Sequence, residues 1–119
     1  MRTNQRRIGL AEAKARAATT AREKRHARRI IGLWNAMNAK HPDNLPFFPT
    51  IAAARIAGFP WLQFCCPACD QVSELDLCKI YRRPESTVAS LLPELTCRCQ
   101  PNPAVPKLLG LSKLSIREI

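Results

Sequence analysis

Two cysteine motifs constrain the fold of this chain more than any other feature of its sequence. Cys66 and Cys69 form a C-x₂-C pair within "FCCPACD", and Cys97 and Cys99 form a C-x-C pair within "TCRCQ" after 27 intervening residues. A C-x₂-C turn presents two thiolates from one tight bend, and a second pair brought alongside completes the tetrahedral coordination that Zn²⁺ prefers. The spacing therefore predicts one Zn²⁺ site with these four cysteines as ligands. The C-x-C pair is its less regular half, since it requires a tighter backbone than C-x₂-C does.

The other two cysteines, Cys65 and Cys78, are predicted to lie outside this coordination shell, although the sequence leaves open whether either replaces a ligand. On a strand Cys65 points away from the face that carries Cys66, and we expect Cys78 to be buried in the apolar core beside Leu77 and Ile80. Buried thiols and disulfides are the alternatives to a metal. No apolar secretory segment accompanies the N-terminal arginines, so we expect a reducing, cytoplasmic setting that favours metal binding over disulfides.

We expect the zinc to be structural and the protein not to be an enzyme. A catalytic zinc keeps an open coordination position with a general base close to it, often with histidine or carboxylate ligands. Neither histidine fits this pattern, since His26 lies inside a basic helical stretch and His41 precedes Pro42 at its end. A closed site of four thiolates contributes folding energy. That suits a C-terminal part of 79 residues, a size at which a hydrophobic core alone is marginal.

Charge divides the chain into two parts. Residues 1–40 contain eleven Lys and Arg against two acidic residues and no proline, whereas residues 41–119 contain eight against seven and all ten prolines. The longest uncharged run has 14 residues, fewer than the ~20 that a membrane-spanning helix needs. We assign residues 1–40 to a basic helical segment, residues 41–60 to a linker with a short helix, and residues 61–119 to a zinc-ribbon-like domain.

Hydrophobic periodicity predicts where the elements lie. A long helix is predicted over residues 9–39, with Ile30, Leu33, Trp34 and Met37 as the amphipathic stripe that docks on the rest of the protein. The other predicted elements are a short helix over residues 51–57 between a Thr50 cap and Gly58, strands at residues 60–66 and 71–81, a small helix from Ser86 to Leu92, and a last strand over residues 107–116.

The segments "PWLQFCCPACDQVSELDL" and "STVASLLPELTCRCQPN" resemble a group of short, uncharacterised bacterial zinc-ribbon proteins. That group has an apolar stretch ending in a C-x₂-C knuckle, an acidic-apolar strand, and a second knuckle after a "SLIPxLxCxxC"-like segment. The resemblance covers residues 60–102 and implies the metal-ligand role for Cys66, Cys69, Cys97 and Cys99, although the group usually has C-x₂-C at the second knuckle. It implies no activity, and the basic N-terminal segment lies outside it.

Basic residues crowd the N-terminal segment, most densely in "REKRHARR" at residues 22–29. Such a segment attracts nucleic-acid phosphates through counterion release, with little sequence information. We expect contacts to DNA or RNA from Arg16, Arg22, Lys24, Arg25, Arg28 and Arg29. The alternatives are a solvated or protein-binding face, and an arginine-rich targeting or membrane-surface helix.

The sequence thus predicts a small α+β protein, in which a long basic N-terminal helix joins a zinc-ribbon-like domain with structural Zn²⁺. Its predicted function is that of a nucleic-acid-binding regulatory or accessory factor of the cytoplasm, with a protein partner possible and no membrane partner. The alternative function is a protein–protein adaptor, in which the edge of the ribbon or the stripe from Ile30 to Met37 docks a partner.

Overall fold

The computed structural model describes the backbone of residues 2–95 and 105–118 and the side chains of residues 20–95 and 105–117. A long helix comes first, and a short helix and a small sheet follow it. The elements in chain order are helices α1 (Arg2–Lys40) and α2 (Ile51–Ala57), strands β1 (Trp61–Cys65) and β2 (Val72–Asp76), a 3-10 helix (Val88–Glu94), strand β3 (Lys107–Ser112) and a second 3-10 helix (Ile116–Glu118).

The three strands form one antiparallel sheet in the order β2-β1-β3. β1 pairs with β2 from Trp61 opposite Asp76 to Cys65 opposite Val72, and it pairs with β3 along its other side. Side chains alternate between the two faces of a strand, and the face that carries Leu62 lies on the core, where this residue is fully buried. A helix combined with a small antiparallel sheet confirms the predicted α+β class.

Strand β3 contains a bulge that requires a glycine. The register of its pairing with β1 shifts at Leu109, so Leu108 and Leu111 are both buried. Gly110 has φ +152°, which residues with a side chain rarely adopt, and a Cβ there would lie 3.1 Å from Asn35 Oδ1. Glycine therefore permits both the bulge and the close approach of α1.

The outer edge of β3 is covered by two asparagine side chains of α1. The Asn35 amide donates to Leu111 O and accepts from Leu111 N, both at 2.9 Å, and Asn38 Nδ2 donates to Leu108 O at 2.8 Å. We call these two side chains the asparagine cap. They satisfy backbone groups of an edge strand that would otherwise be open to pairing with another chain, and they fix the position of α1 on the sheet.

Helix α1 docks through a face that differs from the predicted stripe. Its buried residues recur at i, i+4, i+7 and i+11, namely Ala27, Ile31, Trp34 and Asn38. The predicted stripe was wrong except at Trp34, because Leu33 is 56% exposed and both Ile30 and Met37 are only half-buried. The asparagine cap explains why α1 is rotated about its axis relative to the prediction. Its hydrogen-bonded amides face the sheet at positions that apolar periodicity assigns to solvent.

One buried cluster joins α1 to α2 and to the sheet. Trp34 is fully buried and packs against Phe48 of the linker, with ring centroids 6.1 Å apart. Ile51 of α2 and Leu62 of β1 belong to the same cluster. From Ala27 onward, the buried face of α1 is therefore part of the core.

Helix α2 begins and ends where the sequence predicts. The Thr50 side chain accepts a hydrogen bond from Ala53 N at 3.0 Å, which is the expected N-cap interaction. Gly58 at the C-cap has the left-handed conformation that ends helices. Both boundaries follow from local chemistry, so the prediction is confirmed.

The small helix predicted from Ser86 to Leu92 is a 3-10 helix with different limits. It begins at Val88 after Thr87, and Pro93 lies inside it. Ser86 does not cap it, because the N-cap position is Thr87, whose side chain makes no capping hydrogen bond. The Ser86 carbonyl accepts a hydrogen bond from Ile51 N at 2.8 Å, which fastens the segment to the start of α2.

Candidate functional site

The first cysteine pair lies at the hairpin turn between β1 and β2. Cys66 N donates to Gln71 O at 3.0 Å, and Asp70 N donates to Cys66 O at 2.8 Å, which closes a loop over residues 67–70. Asp70 has φ +57°, a left-handed conformation that aspartate adopts more readily than most residues. The turn thus carries Cys66 and Cys69 on one tight bend, as a C-x₂-C metal knuckle requires.

Three cysteines around this turn occupy different environments. Cys66 is 6% exposed and continues the core-facing side of β1, whereas Cys69 is exposed. Cys65 is half-buried on the other face of the sheet, between Val72 and Lys107 of the neighbouring strands. This separation of Cys65 from Cys66 is what the alternation of a strand predicts.

Cys78 is exposed, so its predicted burial was wrong. β2 ends at Asp76, whose carboxylate accepts the Cys78 N–H at 2.9 Å, and the chain turns there. Leu77 is fully buried, while the Arg55 guanidinium donates to Leu77 O at 2.7 Å and to Ile80 O at 3.2 Å. The predicted strand was too long because no glycine or proline marks this turn in the sequence.

The second cysteine pair, Cys97 and Cys99, lies outside the described residues. The chain on either side of it is described: Leu95 is buried, and β3 begins at Lys107, which pairs with Cys65 next to the first pair. Among residues 20–95 and 105–117, no three His, Cys, Asp or Glu side chains form a group that could hold a metal ion. The described residues therefore contribute two of the four predicted ligands.

Basic side chains of α1 form an exposed face. Arg22, Arg25 and Arg29 recur at i, i+3 and i+7 and, with His26, line a shallow crevice of about 230 Å³. Positions with this spacing share one side of a helix, and here that side is opposite the docked face. Within the described part of the chain, neither these cations nor Lys24 forms an ion pair.

Two of the six predicted nucleic-acid contacts differ from the others. Arg16 belongs to α1 but lies outside the described side chains. Arg28 Nε donates to Ala57 O at 3.4 Å, and a cation at the last turn of α2 also interacts favourably with the helix dipole. Arg28 therefore joins α1 to α2, a role that the sequence did not reveal because it depends on a carbonyl 29 residues away.

Residues 20–26 of α1 project from the body. All seven residues of the range 20–26 are exposed, and Ala27 is the first buried one in the described chain. We call residues 20–26 the projecting segment. It carries Arg22, Lys24 and Arg25, and the remainder of the basic face continues onto the docked part of the helix.

A groove of about 590 Å³ lies along β2 on the outer face of the sheet. Trp61 and Val72 line it, and the Glu74 carboxylate accepts hydrogen bonds from Ser115 Oγ and from Ile116 N. These bonds hold the C-terminal 3-10 helix against the sheet. Glu74 therefore has a structural role in the described fold.

Comparison of the chain with models of known families, with characterised proteins and with solved structures finds no match to any of them. Among the described residues, no helix combines the length and the apolar character needed to cross a membrane. Function must therefore be inferred from the chain's own residues.

Proposed function

We propose that the protein binds nucleic acid through α1 and that a structural zinc site stabilises the domain that carries this helix. The observation behind the proposal is the exposed basic face, where Arg22, Arg25 and Arg29 share one side of α1 and have no ion pair within the described residues. Like charges three and four residues apart on a helix repel one another. A polyanion that neutralises them removes this repulsion, and the phosphate backbone of a nucleic acid is such a polyanion.

Binding of this kind is driven by the release of counterions. Each phosphate neutralised on B-DNA contributes a slope of about −0.9 to log K plotted against log salt concentration. Arg22, Lys24, Arg25 and Arg29 together account for a slope of about −3.6 on this basis. Such contacts position a protein on the backbone without reading bases, which suits an accessory or regulatory factor that binds many sequences.

The test uses the full-length protein with Arg22, Lys24, Arg25 and Arg29 all replaced by glutamine. Fluorescence anisotropy with a labelled 20-base-pair duplex, followed between about 50 and 200 mM salt, gives the affinity and its salt dependence. We expect the wild-type affinity to fall steeply with salt, and the variant to bind more weakly with a shallower slope.

A matched control removes the same number of charges from exposed positions outside α1, by glutamine substitution of Lys79, Arg83, Lys107 and Arg117. This control should bind almost as the wild type does, because these cations lie outside the basic face. Equal losses in the two variants, or binding by the wild type that salt does not change, would contradict the proposal.

For the metal, we propose a structural Zn²⁺ bound by Cys66, Cys69, Cys97 and Cys99. Two observations support it: the tight turn that carries the first pair, and the pairing of Lys107 with Cys65. Because of that pairing, the chain enters the sheet soon after residues 96–104, at the end of the sheet that carries Cys66. Zinc bound there would link two distant parts of the chain and contribute folding energy. The resemblance to zinc-ribbon proteins remains a prediction.

A protein–protein adaptor is the second candidate function. Leu33 is 56% exposed on the solvent side of α1, and half-buried Ile30 and Met37 lie one turn away from it. Leu33→Gln should then abolish binding to a protein partner or self-association, measured by light scattering, while duplex binding stays unchanged because no charge is altered. An assembly that survives Leu33→Gln would contradict the adaptor.

A further inference from the structure

We propose that the projecting segment of α1 enters the major groove of duplex DNA. All seven of its residues are exposed, so no part of the body packs around residues 20–26. A helix with its side chains is about 10–12 Å across, and the major groove of B-DNA is about 12 Å wide. The projecting segment therefore has the dimensions of a helix that this groove admits. The inference rests on the proposed function. It assigns the phosphate contacts of α1 to the two DNA strands that form the walls of one groove.

Cations lie on both flanks of the projecting segment. Successive residues of an α-helix are about 100° apart, which puts Arg22 and Lys24 about 160° from each other with Arg25 between them. Side chains on opposite flanks reach the phosphates of both strands when the helix lies between them. Glu23 points to the side away from this arc, so no carboxylate of the projecting segment faces the phosphates.

The cationic arc contains a small residue between two of its cations. Ala21 lies between Lys24 and Arg25 around the helix axis and is exposed. A methyl group at this position lets the helix backbone approach the floor of a groove about 8.5 Å deep. A bulky, rigid side chain there would hold the helix away from the floor, whereas the flexible side chain of Arg25 can extend to a phosphate.

The same geometry distinguishes duplex DNA from other nucleic acids. The major groove of A-form RNA is deep and narrow and does not admit side chains in this way. A single strand has no second wall, so only one flank of the helix would find phosphates. A helix with cations on both flanks therefore fits B-form DNA best.

The first experiment compares three probes with equal numbers of phosphates: a DNA duplex, an RNA duplex of the same sequence, and an unpaired DNA strand of twice the length. Full-length wild-type protein should bind the DNA duplex roughly tenfold more tightly than either of the others, as expected from losing the contacts to one wall. Equal, salt-dependent affinities for all three would overturn the groove inference and leave the proposed function standing. No salt-dependent binding to any of them would overturn both.

The second experiment places a tryptophan in the arc, between Lys24 and Arg25. Ala21→Trp should weaken binding to the DNA duplex about tenfold while Zn²⁺ content and helicity stay as in the wild type. Ala39→Trp is the matched control, because Ala39 is exposed on the same side of α1 but lies about 27 Å further along the helix, at 1.5 Å per residue. Affinity unchanged by Ala21→Trp, or lowered equally by both substitutions, would overturn the inference.

Discussion

Replacing Asn35 by leucine should remove its two hydrogen bonds to the edge of β3 and lower the free energy of unfolding. The Asn35 amide makes two hydrogen bonds of 2.9 Å with the backbone of Leu111, and Leu111 is only 4% exposed. A leucine of similar size fills the same space without offering a donor or an acceptor. The Leu111 N–H and C=O would then remain buried without partners.

The magnitude follows from the cost of those two groups. A buried backbone group left without a partner costs about 1–3 kcal/mol, so Asn35→Leu should cost about 4 kcal/mol for the pair. Asn35→Ala removes the same bonds but leaves room for water to satisfy the backbone, and should cost about 2 kcal/mol. Asn35→Ala is therefore expected to be the more stable of the two, the reverse of the order that side-chain hydrophobicity gives.

Urea unfolding followed by circular dichroism measures both values, with zinc-loaded protein at fixed zinc concentration. Asn44→Leu is the control, because Asn44 is exposed in the linker and such substitutions stay within about 0.5 kcal/mol of the wild type. An Asn35→Leu protein that is as stable as the wild type would refute the account of how α1 is held.

Three further predictions concern the bulge, the helix contact and the metal. Gly110→Ala should lower the melting temperature, since φ is +152° and the new Cβ would lie 3.1 Å from the asparagine cap, at a cost on the order of 1–3 kcal/mol; an unchanged melting curve would contradict the strain. Arg28→Met should cost about 1 kcal/mol in urea unfolding and Arg25→Met almost nothing, because Arg28 alone of the two donates to α2; equal effects would contradict that contact. We expect elemental analysis to find one zinc per chain in the wild type and in Cys78→Ser, and none in Cys69→Ser; full zinc content in Cys69→Ser would rule out the ligand assignment.

Elements whose signals are local could be predicted from the sequence. The limits of α2 follow from a capping threonine at Thr50 and a glycine at Gly58, both of which act within one turn of the helix. The rotation of α1 could not be predicted in this way. It depends on hydrogen bonds from Asn35 and Asn38 to a strand 76 and 70 residues further along the chain. Polar residues that face the core because they bond to a strand edge do not appear in the hydrophobic periodicity of the sequence.

In the candidate site, too, features set by local sequence could be predicted and features set by distant contacts could not. The bend at Cys66 and Cys69 is a local turn, and its spacing was readable from the motif. The exposed position of Cys78 was not, because it depends on a turn held by Arg55 from α2. The basic character of α1 could be predicted from composition. Its division into a projecting segment and a docked part required the structure, since Ala27 is the first buried residue among those described.

The central claim is that the cations of α1 carry the function and bind phosphates. It is tested most directly by the slope of log affinity against log salt for duplex DNA, measured for the wild type and for the variant in which Arg22, Lys24, Arg25 and Arg29 are glutamine. The account predicts that the slope becomes shallower by about 3.6, or about 0.9 for each phosphate contact removed. An identical slope for the two proteins would contradict it.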